Sequence, residues 1–454
     1  MSTIKDNALT QLGIQLDARW LLPNQNVVLE NWPVIACDQF TSEPEYWNQV
    51  NAIIDRKPST GHLVFPEVYL ETPNKLSKES RIEMIHTIMR QYLRLNIFDT
   101  IEGGVFVVRR ETSQGLIRHG IVAAIDLERY EYVPGNEALI RASEATVPSR
   151  IPPRLAVRRN ADLETSHVLL LVHDPDDTVL QPLYSTVTQP NNNYKVVYDT
   201  PLMTHAGHLT GWHVPADDPH LAAWLERLEA TPLFRKHNLL FAVGDGNHSL
   251  ATAKAHWDLL KKENPNISLS HPARFATVEI ESLTDPGLEF EPIHQVVFGI
   301  NPAILEAAAK DFFGSDITIE HNVDCTSLQT FFEETEQPTD AAHWVDIPVY
   351  HNGRTHLWRL RAAPNELTLA ALRRFLDPWL KQQSARTDYI HGQDVVRQLC
   401  QNPENYGFLL PALDPQTFFT QIIEHDVLPR KTFSLGHALD KRFYMECRAI
   451  IPNV

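Results

Sequence analysis

Residues 238–262 constrain the fold of this chain most. Asn238-Leu239-Leu240-Phe241-Ala242-Val243 reads as a buried strand, Gly244-Asp245-Gly246 as a tight turn, and Ser249–Lys262 as a helix that follows at once. A strand that becomes a helix within a few residues calls for a sheet layer with helices packed on it. Other segments agree. Strands are expected at 103–109, 120–126, 167–173, 194–198, 209–214 and 273–280, and helices at 81–95, 219–228, 301–313, 370–383, 393–401 and 415–424. Pro33–Cys37 is an apolar stretch, and Ser42-Glu43-Pro44-Glu45 reads as a capping box opening a helix through Trp47 and Ile53. Val349–Gly353 predicts a hairpin. The expected class is mixed α/β (α+β), a strand-turn-helix core with an additional C-terminal α/β region. Three regions are expected: 1–165 with a loop at Asp38, 166–300 with the Gly-Asp-Gly turn, and 301–454 ending in a segment around Lys431.

With 454 residues and 43 % hydrophobic content, the chain can bury a substantial core. A formal charge of −17 repels phosphate backbones and anionic lipid heads, so neither a nucleic-acid nor a membrane partner is expected. No stretch reads as a signal or membrane-spanning segment, and the cysteines at 37, 325, 400 and 447 have neither metal spacing nor disulfide density. A cytoplasmic location follows as an expectation, and assembly into a homo-oligomer is left open.

The chemistry concentrates in Gly244-Asp245-Gly246-Asn247-His248-Ser249. Two glycines allow positive φ and close backbone approach to a ligand. The helix start offers unpaired N–H groups and partial positive charge, an anion site. Asn247, His248 and Ser249 add donors, and Asp245 is the carboxylate for Mg²⁺. The bland alternative is a turn whose polar residues only cap the helix. No P-loop pattern occurs, and a dinucleotide fingerprint is weak. Asp38, in a strand-to-helix loop, is either a catalytic base or a turn residue. Five arginines lie among three prolines at 139–159, which argues for a stiff extended loop; Arg150 and Arg154 are its anion-site candidates. Lys431, Thr432 and Ser434 form a donor set that suits phosphate or an exposed turn. His205, His208 and His213 within nine positions raise a transition-metal reading, weighed below one of surface histidines. Cys37 reads as a small buried hydrophobe rather than a nucleophile.

The turn resembles the DGHHR motif of a bacterial and archaeal family called domain of unknown function ten-fifteen. Asp285-Pro286-Gly287-Leu288 with Pro292-Ile293-His294 is similar to that family's DPGL…PTH run, and Leu428–Ser434 to its MPxKST segment. Ala36-Cys37-Asp38-Gln39 occupies the place of its PPYD. The four landmarks, in order, extend over nearly the whole chain. More distantly, the motif resembles the phosphate-binding turn of ParB-type nucleotide-binding domains, sulfiredoxin and free-serine kinases. By position Asp245 and Gly246 match, Asn247 replaces the first His, His248 matches the second, and Ser249 replaces Arg. That replacement removes a bidentate phosphate clamp, for which Arg141, Arg150, Arg154 or Lys431 would have to compensate. The turn lacks the cysteine that sulfiredoxin chemistry needs.

The expected function is therefore a small-molecule phosphotransferase. It would use Mg²⁺ with a nucleotide or pyrophosphate, a small hydroxylated substrate, His248 on phosphate and Asp38 as base. The alternatives are a non-catalytic nucleotide- or anion-binding regulatory module and, less favoured, a metal-dependent hydrolase on the His205–His213 cluster.

Overall fold

Val168–Val172, five aliphatic residues in a row, can be satisfied only by burial on both faces, and they lie inside a sheet with both faces covered. The computed structural model describes residues 11–71, 76–190, 193–323, 335–336, 339–383 and 385–452. They divide into two compact units, one formed by Met1–Leu288 with His437–Val454, the other by Glu289–Gly436. The chain thus does not divide at 165 and 300 as expected. Leu163–Thr165 pairs with Cys447–Ala449, which ties the C-terminal end back into the first unit.

The first unit is built on a ten-stranded sheet. Its main strands are β1 (Val105–Glu111), β2 (Ile117–Asp126), β3 (Leu169–Val172), β4 (Val196–Pro201), β5 (His208–Val214), β6 (Phe241–Asp245) and β7 (Phe275–Ser282). They run in the order β4-β5-β1-β2-β7-β3-β6, extended by Ile140–Arg141 and Tyr130–Glu131. Strand β3 is parallel to β7 and antiparallel to β6, with Leu169 opposite Asp245. Alternation along β7 sends Ala276, Val278 and Ile280 into one core with Leu170, Trp224 and Trp257, while Phe275 joins a second core on the other face. Glu279 and Glu281 share that second face and are buried. A smaller antiparallel sheet joins Arg19–Pro23, Phe98–Glu102, Cys447–Ala449 and Leu163–Thr165.

Four helices matter for the site: α1 (Pro44–Ile54), α2 (Lys78–Arg94), α3 (Ile151–Arg158) and α4 (Asn247–Glu263). Helix α1 follows the Asp38 loop as expected, but its N-cap is Glu43, and no side chain caps it. Proline at 44 disfavours helical backbone in the residue before it, so the helix starts at Pro44 and the capping box does not form. The proline-rich stretch also departs from expectation. Pro148–Arg150 is a 3₁₀ turn and α3 follows directly, because Pro152 and Pro153 sit in the first helical turn, where no N–H is required.

In the second unit the main strands are β8 (Phe290–Phe298), β9 (His343–His351), β10 (Arg354–Ala362) and β11 (Arg386–His391), with α5 (Pro302–Phe313) and α6 (Thr368–Gln383). The sheet order is Ile317–Glu320, β10, β9, Tyr406–Phe408, β8, β11. The Asn352-Gly353 hairpin forms as expected, both residues having positive φ. Asn301 caps α5 through the Ala303 N–H.

His294, from the Pro-Ile-His landmark, is a core residue of this unit, and its Nδ1 accepts the Leu410 N–H at 3.1 Å. Burial, and then the His391 charge, bring its pKa from 6.5 to about 4. The unfolded chain therefore binds more protons between those values. The stability this neutral imidazole contributes is complete above pH 6.5 and is lost as pH falls toward 4, on the order of 3 kcal/mol. Urea unfolding of wild type and His294→Gln at pH 7.5 and 4.5 checks this; the variant should lose less on acidification.

Candidate functional site

The turn after β6 owes its shape to Gly246. Its φ is +79°, and a Cβ there would lie 3.0 Å from the Val168 Cα and 3.4 Å from the His167 ring. Only glycine lets α4 begin this close to the start of β3. Asp245 Oδ1 accepts the Gly246 N–H at 2.8 Å, and its Oδ2 lies 3.5 Å from Lys441 Nζ. Asn247 is engaged with Ser143, accepting its N–H and donating to its hydroxyl, both at 3.2 Å. His248 Nε2 accepts the Val147 N–H at 3.2 Å, which assigns the ring proton to Nδ1 in the neutral form. Leu250 donates its N–H to the Gly246 carbonyl, the bond that opens the helix, and the amides of its first turn lie ahead of it. Gly244 and Ser249 are half-buried beside them.

Asp38 reaches the same place from the loop before α1. Its Oδ2 lies 3.5 Å from His167 Nε2, and its Oδ1 accepts from the Gln39 amide at 3.0 Å. The other ring nitrogen of His167 is 2.7 Å from the Tyr444 hydroxyl oxygen, which also accepts the Cys37 N–H at 3.1 Å. Burial lowers the His167 pKa, but the Asp38 carboxylate, helped by Asp245 and Glu67, outweighs it and the net shift is upward. Burial likewise pushes Asp38 up, yet the His167 charge and hydrogen bond, with Gln39 and Arg154, hold it well below the usual carboxylate range. The Asp38 carboxylate thus favours the charged form of the His167 ring that it faces. Cys37 is pushed up to about 12, first by burial and then by the Asp38 and Glu67 charges, so its thiol stays protonated at neutral pH.

Arg154, on α3, forms an ion pair with Glu67 and donates to the Arg150 carbonyl, while Arg150 itself is exposed. Arg141 donates to the carbonyls of Ala138 and His237. Lys431 and Thr432 belong to the second unit, the first exposed with φ +61°, the second buried and bonded to the Pro429 carbonyl. The structure therefore brings together Asp38, Gly244–Ser249 and the Arg154–Glu67 pair within the first unit.

The histidine cluster does not converge. His208 pairs with Asp199 at 2.7 Å, and His213 Nε2 lies 2.9 Å from the Gly103 carbonyl. No three-ligand group among the described residues includes any of the three. Cys325 lies outside the described residues.

Four residues of the site carried no sequence signal strong enough to single them out: His167, Lys441, Tyr444 and Glu67. The antiparallel β3–β6 register sets His167 beside Gly246. Lys441 and Tyr444 arrive with the C-terminal segment, held by Tyr444 pairing with Val34 and by the Ala36 N–H on the Arg442 carbonyl at 3.0 Å. Their only trace is a dense Lys-Arg-Phe-Tyr run.

A mixed α/β fold with a polar site at a strand-to-helix turn is the class that this geometry defines. The chain belongs to the family described as Protein of unknown function (DUF1015), which it matches over residues 19–379. No curated protein matches it. Among solved structures it is similar to a conserved hypothetical protein from Pyrococcus furiosus, at 10 % identity and TM-score 0.36, covering 71 % of this chain and 94 % of that one. It is also similar to a free serine kinase variant in complex with AMP, at 9 % identity and TM-score 0.39, covering 72 % and 92 %. SbnI from Staphylococcus aureus is similar at 10 % identity and TM-score 0.33, covering 69 % and 82 %. No helix among the described residues is long and apolar enough to cross a membrane.

Proposed function

We propose that the first unit is a small-molecule phosphotransferase, with the phosphates of a nucleotide or pyrophosphate at the 244–249 turn. The observation that carries this reading is the contact between two features: the Asp38–His167 pair, 3.5 Å apart, and the glycine-shaped start of a 17-residue helix against which His167 packs. The helix start supplies amides and partial positive charge for phosphate oxygens. Lys441 and His248 add charge and a ring donor, in place of the arginine that the family motif carries where Ser249 stands.

Asp38 then accepts the proton of an acceptor hydroxyl as its oxygen attacks the terminal phosphorus. The bond to the bridging oxygen breaks, and the donor leaves one phosphate shorter. A loose transition state of this kind asks for position and charge more than base strength, so a low-pKa carboxylate suits the role. Asp245 is a poor magnesium ligand as placed. One of its oxygens takes the Gly246 N–H and the other faces the Lys441 ammonium. Magnesium is therefore proposed to enter with the nucleotide rather than on Asp245.

The test is the melting temperature with ATP, ADP, CTP, GTP, AMP or pyrophosphate, each with and without Mg²⁺. A ligand that binds only the native state raises it, by more the further its concentration exceeds its dissociation constant. At least one of them should give a clear shift that His248→Ala loses, and that ligand should turn over. No shift with any of the six would overturn the reading; a shift without turnover of any acceptor would instead assign the turn to a regulatory binding module.

A further inference from the structure

The first unit contains a cavity of about 310 Å³ that reaches the proposed reaction centre at His167 and Ser249. His167, Ser249 and Tyr444 line its polar end. Its body is lined by Phe65, Ile82 and Met89, the latter two on one face of α2, with Val157 of α3 and Leu163. Of the charged residues that line it, Lys78 and Glu79 are exposed and of opposite sign, and the others are matched within the protein. Arg154 is paired with Glu67, and Glu164 lies 2.6 Å from Arg158 and 3.0 Å from Arg448. Apart from the end at His167, the walls carry no net charge, and their other hydroxyls are those of Thr165 and of Thr252, the latter already donating to the His248 carbonyl.

We propose that this cavity takes a hydroxyl compound with an apolar body, aromatic or aliphatic, and that this compound is the phosphoryl acceptor. The inference rests on the phosphotransferase reading for the word acceptor, but its ligand class rests on the cavity. At about 30 Å³ for each water-sized group, the space holds on the order of ten non-hydrogen atoms. A sugar or a free amino acid of that size would bury hydroxyl, ammonium or carboxylate groups against carbon, each left without a partner. A molecule with one hydroxyl at the end of an apolar body leaves nothing unpaired, and the hydroxyl comes to the Asp38–His167 pair. Its oxygen forms the new bond to the terminal phosphorus of the nucleotide or pyrophosphate. The bridging P–O bond breaks with its electron pair going to the leaving phosphate, and the hydroxyl proton passes to Asp38.

Two measurements on the full chain test this: melting temperature with 2-phenylethanol, 1-octanol, serine, glycerol or glucose, and phosphorus NMR for a phosphomonoester after adding ATP or pyrophosphate. The apolar alcohols should raise the melting temperature and give the ester. Val157→Phe and Ile82→Trp, two independent fillings of the cavity, should weaken these alcohols at least tenfold, with the nucleotide-induced shift reporting that each variant is folded. Transfer to serine, glycerol or glucose, with no shift from the apolar alcohols, would overturn the inference and leave phosphotransfer standing. Apolar alcohols that bind, are lost in the filled variants and are never phosphorylated would keep the ligand class and overturn the acceptor role. No shift with either apolar alcohol overturns the proposal whatever the nucleotides do.

Discussion

Arg442→Met should cost the first unit about 3–5 kcal/mol at pH 8, the range for breaking a buried ion pair by removing one partner. Arg442 is buried, its guanidinium 2.6 Å from Glu279 and 2.7 Å from Glu446, with a further bond to the Ser166 carbonyl. Methionine fills much of the same volume but leaves buried Glu446 without the cation it faces, and Glu279 with only the more distant charges of Arg118 and Arg110. Burial already raises the Glu446 pKa against the pull of Arg442, so removing Arg442 raises it further. A carboxyl whose folded pKa lies above its unfolded value is more stable in the fold as pH falls. The deficit of the variant should accordingly shrink between pH 8 and pH 5.5, opposite to the acid loss expected from His294. Glu279→Gln combined with Arg442→Met should recover part of the loss, a coupling that a double-mutant cycle reads directly. Denaturant unfolding at the two pH values is the measurement, and a variant as stable as wild type at pH 8 would contradict the argument. The consequence reaches the site, because Arg442 anchors the segment that delivers Lys441 and Tyr444.

What could be read in advance followed the range of the interactions involved. The β6 strand, its glycine turn and α4 are specified within about 25 residues, so apolar run, glycines and helical periodicity sufficed to find them. The same holds for the Asp38 loop before α1 and for the Asn352-Gly353 hairpin. Pro152 and Pro153 misled because proline has two readings, loop stiffener and first-turn helix residue, and only the neighbouring helix decides between them. His167 could not be singled out. A histidine before an aliphatic strand has no chemistry of its own, and it acquires one through the pairing of Leu169 with Asp245, a contact between residues 76 positions apart. Lys441 and Tyr444 are further removed, since the chain first builds the whole second unit, Glu289–Gly436, before returning. The sequence therefore offers Arg141, Arg150, Arg154 or Lys431 in place of the missing arginine, and does not single out Lys441.

Asp38→Asn should lower phosphoryl transfer by about 10²–10⁴-fold, the usual contribution of a positioned general base, and leave the nucleotide-induced rise in melting temperature in place. The substitution keeps shape and one acceptor oxygen, so the Gln39 contact survives, but it removes the charge that faces His167. His167 then keeps only Asp245 and Glu67 to offset its burial, and its pKa falls. The pair loses both members as an ionic unit. This yields a second readout that a merely structural Asp38 would not give in the same form. A His whose folded pKa is raised contributes stability below its unfolded pKa, and that stability is lost as pH rises through the folded value. In wild type this contribution should be present below pH 6.5 and be lost as pH rises through the raised folded pKa; in Asp38→Asn it should be smaller. Titration of the His167 ring by NMR reads the shift directly, beside turnover measured with saturating donor. Unchanged turnover in Asp38→Asn would remove Asp38 from the reaction. Lost turnover together with a lost nucleotide shift would place Asp38 in donor binding and not in proton transfer, because a base that acts only on the acceptor hydroxyl has no reason to hold the donor.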